Sequence, residues 1–246
     1  LSVKTTLEGV RDRKISLVTE FKGNLREFEI PLTLYRDNLY NPLLDYNSDD
    51  FEFISQVSPA TWNIPKGQWK VDKPIRIKGD LNIVAGVELL FSKDAYLIID
   101  GGLSTSGTRK EPIILSAQED DWKGVYVFGK NAVSNLKHTT FKNTRALEDG
   151  LLKLTGGVTF YKSDLNLSNV TFDSTIAEDA LNIVHSKFEL FKVTVNSTIS
   201  DGFDGDFSNG SVRRSVFKNI GGDALDFSGS KVFIKGTDIL NVHDKA

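Results

Sequence analysis

The chain has no cysteine and no methionine, and only three histidines and six prolines in 246 residues. Without cysteine there is no disulfide, no thiol nucleophile and no thiolate-held zinc. The histidines, His138, His185 and His243, lie far apart in the chain and lack metal-ligand spacing. A net charge of −3 gives no electrostatic footprint for nucleic acid. No apolar run is long enough to cross a bilayer, and no targeting segment is recognisable. Neither nucleic acid nor membrane insertion is therefore expected. The missing methionine and the start at Leu1 lead to the expectation of an excised or processed piece. A helical period is absent as well.

Repetition takes its place. Asp179-Ala180-Leu181-Asn182-Ile183 returns 22 residues later as Asp201-Gly202-Phe203-Asp204-Gly205, and again as Asp223-Ala224-Leu225-Asp226-Phe227. Val195, Phe217 and Ile239 keep the same 22-residue step. So short a unit, with alternating apolar residues, reads as one turn of a parallel β-helix. The fold class is all-β, with about 22 residues per turn in the C-terminal part.

Alternation in a strand puts successive side chains on opposite faces. Leu181, Phe203 and Leu225 are then expected to stack inside, and Asn182, Asp204 and Asp226 outside. Val184, Asp206 and Ser228 form the next outward column, while Asp179, Asp201 and Asp223 sit at the preceding bend. Rungs of a parallel sheet lie about 4.8 Å apart, so Asp204 and Asp226 face each other as like charges. Such a row either raises a pKa or recruits a cation. Gly205, between Asp204 and Asp206, reads as an interior position left underfilled.

Residues 1–60 lack the repeat and read as a small β-rich segment, with alternating stretches at Lys14 to Phe21 and Leu25 to Leu34. An acidic and aromatic loop, from Tyr40 to Phe53, follows as a candidate cap for the first turn. Residues 61–246 form the helix, punctuated by Gly79-Asp80, Ala85-Gly86 and Gly101-Gly102. Trp62, Trp69 and Trp122 are expected in core or capping roles. Because Asp244-Lys245-Ala246 restarts the repeat, the helix is expected to be truncated there, and another chain or domain to meet its open end.

Three features carry a resemblance to a known class. Ile64-Pro65-Lys66-Gly67 through Val87-Glu88-Leu89-Leu90-Phe91, with Leu103 to Thr108 and Pro112-Ile113, looks like a set of opening coils. Trp122-Lys123-Gly124-Val125 follows them as a Trp-X-Gly-aliphatic element. Phe-X-Asn-like steps recur at Phe141, Phe217 and Ile239, with serine variants at Phe172 and Val195. In these features the chain resembles the right-handed parallel β-helix proteins of the pectate-lyase-like superfamily. The resemblance implies a secreted or cell-surface protein, a groove that holds a polysaccharide, and polar ladders at the bends. The Gly-His-Gly element of polygalacturonases and the Asp-Pro-His-Glu element of alginate epimerases are absent.

Two carboxylates suitably spaced can hydrolyse a glycoside. Asp204, Asp206, Asp223 and Asp226 are the candidate catalytic set, with Asp201, Arg213, Lys231 and Lys245 as candidate substrate-binding residues. Asp204, Asp206 and Asp226 are also candidate ligands for calcium, a hard ion that takes oxygen donors; a lyase would pair that ion with a basic residue. A noncatalytic adhesin or structural spacer is the alternative, in which the acidic row is a solvated face.

Overall fold

The computed structural model describes residues 3–6, 14–21, 24–31, 45–129 and 132–244. The chain divides into two compact units, Leu1–Asn41 and Pro42–Ala246. In the first, strands Val3–Thr6, Lys14–Phe21 and Asn24–Pro31 form an antiparallel sheet, with Lys14 opposite Pro31 and Phe21 opposite Asn24. The alternating stretch expected at Lys14 to Phe21 is a strand, and so is that expected from Leu25 as far as Pro31; its residues 32–34 lie outside the described residues.

The second unit is an all-β solenoid of about eight stacked parallel turns. One turn can be followed through strand Asp201–Asp206, strand Asn209–Arg213 and strand Val216–Ile220, before the chain returns at Gly221-Gly222. Residues 22 apart meet in register: Leu181 pairs with Phe203 and Phe203 with Leu225, while Val195 pairs with Phe217 and Phe217 with Ile239. Leu181, Phe203, Val195 and Phe217 are fully buried. Inside, Phe141 stacks on Phe172 at 5.3 Å and Phe91 on Trp122 at 3.9 Å. Trp122 is fully buried and donates its indole N–H to the Lys142 carbonyl.

The corners are made by non-glycine residues with φ between 45° and 59°. They fall into three columns. Lys162, His185 and Phe207 lead to Gly229; His138, Asn169, Lys192 and Arg214 lead to Gly236; Asn143, Ser174, Ser197, Asn219 and Asn241 make the third. A side chain in this region costs of order 1–3 kcal/mol, so the surroundings must hold each corner. At the first corner a buried serine column does so. The N–H groups of Ser163, Ser186 and Ser208 donate to the hydroxyls of Ser186, Ser208 and Ser230, at 3.0, 3.1 and 2.8 Å. Outside the third corner, Asn241 donates to Asn219, Asn219 to Asn196, and Asn196 to Asp173.

The loop before the first turn packs as a cap. Phe51 and Ile54 enter the core, and Phe53 stacks on Trp69 at 5.3 Å. Gly205 corrects the sequence expectation. A Cβ there would stand 2.9 Å from the Phe227 ring, so the position is occupied by its neighbour's aromatic ring and glycine serves packing.

Candidate acidic site

A seven-stranded parallel sheet carries the acidic row. Its outward column runs Arg76, Ile98, Tyr126, Thr159, Asn182, Asp204, Asp226, one residue per rung. The Ile98 and Tyr126 rungs are covered from outside by the antiparallel hairpin of Leu147–Asp149 and Leu152–Leu154. Leu147 packs there with Tyr96, Ile98 and Tyr126 in a separate buried cluster. Tyr96 donates to Asp149 at 2.8 Å and Tyr126 to the Gly156 carbonyl at 3.0 Å. Beyond the hairpin the column turns polar: Thr159 and Asn182 are still buried, Asp204 is half-buried, and Asp226 is exposed.

Asn182 ties the carboxylates together. Its amide donates to Asp179 Oδ2 at 3.2 Å and to Asp204 Oδ2 at 2.9 Å. Asp179, at the bend, is 4% exposed. Burial pushes its carboxyl up to about 7, with Asp204 as the next contributor and the Asn182 hydrogen bond opposing. Asp204 is raised to about 6, first by burial and then by Asp206 and Asp226. Two carboxyls thus hold protons well above the ordinary carboxylate range of about 4. Among the described residues no lysine or arginine forms an ion pair with Asp204, Asp206 or Asp226.

The structure therefore brings Asp204, Asp206 and Asp226 onto one outward face, as the repeat predicts, with Asp206 opposite Ser228. Asp201 and Asp223 lie at the bend beside it, where Asp201 Oδ1 accepts the Asp223 N–H at 2.8 Å. Arg213 and Lys231 are not on this face: they follow the corners at Phe207 and Gly229 and project from the adjoining sheet. Lys245 lies outside the described residues. Asp179 and Asn182 join the site although they are not among the candidate residues read from the sequence. The signal for them was present, since Asn182 occupies the Asp204 column one turn earlier.

The expectation of calcium rests on the row of like charges alone. Among the described residues no three histidine, aspartate or glutamate side chains converge as a metal-ligand set. No protein-family model and no curated protein matches the chain.

Proposed function

We propose that the solenoid engages a polysaccharide along the Asp201 to Asp226 face and that Asp204 acts on it as a proton donor. The observation that carries the reading is the half-buried Asp204 carboxyl, raised to about 6 beside the exposed Asp226 one rung away. A general acid needs a pKa near the working pH, and a glycosidase needs a second carboxylate on the other side of the scissile bond. In this reading Asp204 protonates the glycosidic oxygen as the bond to the anomeric carbon breaks. Asp226 stabilises the developing oxocarbenium ion or takes the proton of the attacking water. Asp179 is too buried to touch a polymer; it positions Asp204 through Asn182. Kinship with the pectate-lyase-like superfamily and an exported or cell-surface setting belong to the same proposal, on the strength of the sequence resemblance and the solenoid fold.

The test is incubation with a panel of neutral and acidic polysaccharides at about pH 5, measuring reducing ends and ultraviolet absorbance of unsaturated products. New reducing ends without absorbance, lost in Asp204→Asn and Asp226→Asn, are the expected result. Absorbing products point to a lyase. Retention of polymer without products makes the chain a binding module, and neither retention nor products makes it a spacer.

A further inference from the structure

Around the first corner from the acidic row lies a face of opposite character. Its outward rows are read from the register: Asn166, Glu189, Ser211 and Phe233 form one, and Ser168, Phe191, Arg213 and Lys235 another, with Lys137 opposite Ser168. Asp164, Lys187, Asn209 and Lys231 form a third along the edge. These rows hold five basic side chains, Lys137, Lys187, Arg213, Lys231 and Lys235, against two acidic ones, Asp164 and Glu189. Among the described residues none of the five forms an ion pair.

Arg213 and two neighbouring corner cations meet aromatic rings. Arg213 lies 5.8 Å from the Phe233 ring, and Phe191 has Lys192 at 5.3 Å and Arg214 at 5.9 Å. Phe233 is 56% exposed. Small residues at Gly210 and Ser211 leave a cleft of about 600 Å³ between Phe233, Arg213, Lys187 and Glu189. The Gly210 position admits nothing larger, since a Cβ there would be 2.1 Å from the Phe188 carbonyl oxygen.

We infer that this cleft is a second binding site, separate from the acidic row, for a glycan chain bearing anionic groups. Lysines and arginine without ion-pair partners, Lys187 and Arg213 in the cleft and Lys231 and Lys235 on the next rung, match a polymer that carries negative charge at intervals. The exposed Phe233 ring offers an apolar platform for a sugar face. Asp164, Glu189, Asn166 and Asn209 share the cleft, and these acceptors call for hydroxyl donors, which a sugar supplies. A nucleic-acid backbone brings phosphates against Glu189, and its bases would have to displace the cations already over Phe191 and Phe233.

The site does not depend on what the acidic row does, and the experiment separates the two. Binding of polygalacturonate, dextran sulfate, neutral dextran and oligo(dT) is measured by titration calorimetry at low and high salt. Polygalacturonate or dextran sulfate is expected to bind, more weakly as salt rises, while dextran does not. Binding of both marks a site for anionic groups in general, and binding of only one identifies carboxylate or sulfate as the group recognised. Lys187→Ala/Arg213→Ala should weaken this binding about tenfold, and Phe233→Ala should weaken it as well. All these side chains are exposed, and thermal unfolding confirms that the variants fold. In an Asp204→Asn background the same double substitution should still weaken binding about tenfold. Three results overturn the inference: no binding of either polyanion, tighter binding of oligo(dT), or loss through Asp204→Asn with Lys187→Ala/Arg213→Ala unaffected.

Discussion

Replacing Asp179 by asparagine should stabilise the protein at alkaline pH and leave it unchanged in acid. The folded-state pKa of Asp179 is raised, to about 7. Its folded form therefore favours the proton, and that contribution to stability is fully present below the unfolded pKa, near 4. It is lost as pH rises through about 7. With about 1.4 kcal/mol per unit, a rise of about three units corresponds to roughly 4 kcal/mol at most between pH 4 and pH 8. Asparagine is nearly isosteric, and its carbonyl can still accept the Asn182 amide. At 2–4 °C per kcal/mol for a domain of this size, Asp179→Asn should melt on the order of 10 °C higher than the parent at pH 8, with little difference at pH 4. Thermal unfolding by circular dichroism across that range reads it directly. An equal shift at both pH values, or destabilisation at pH 8, would refute the assignment of a buried carboxyl that holds its proton.

Other outcomes follow from the same geometry. Asp226→Asn removes one of the charges that raise Asp204, so the Asp204 titration, followed by ¹³C NMR, should move to lower pH. Ser208→Ala strips the buried acceptor from the Ser186 N–H and should cost about 1–3 kcal/mol in urea denaturation. Gly210→Ala, driven against the Phe188 backbone, should cost more than Gly205→Ala, which meets the edge of the Phe227 ring. If the acidic row takes calcium, millimolar Ca²⁺ should raise the melting temperature, and Asp204→Asn/Asp206→Asn should abolish the rise. No rise removes calcium from the reading.

The 22-residue step was enough to place every rung of the acidic row, because parallel pairing joins residues one period apart and alternation sets which of them point outward. The corners were harder to see. Phe207, Lys192 and Arg214 have no preference for left-handed backbone, and at the first two corners Gly229 and Gly236, one period beyond Phe207 and Arg214, are the clearest sign of it. The first corner went unread in the sequence, and it turns the chain between the acidic row and Arg213 and Lys231, two of the expected substrate-binding residues. The same oversight hid the column of Ser163, Ser186, Ser208 and Ser230, which holds that corner. Gly205 was misread because its volume is filled from the next turn, by Phe227, and a single repeat read alone does not reveal small-to-large compensation across rungs.

The central claim, a proton-bearing Asp204 in a row of carboxylates, is tested most directly by titrating the aspartate carboxyl carbons by ¹³C NMR, in the parent and in Asp204→Asn. The account predicts a resonance that titrates near pH 6 and is missing from the variant. A spectrum in which every outward aspartate of the row titrates near pH 4 would contradict it.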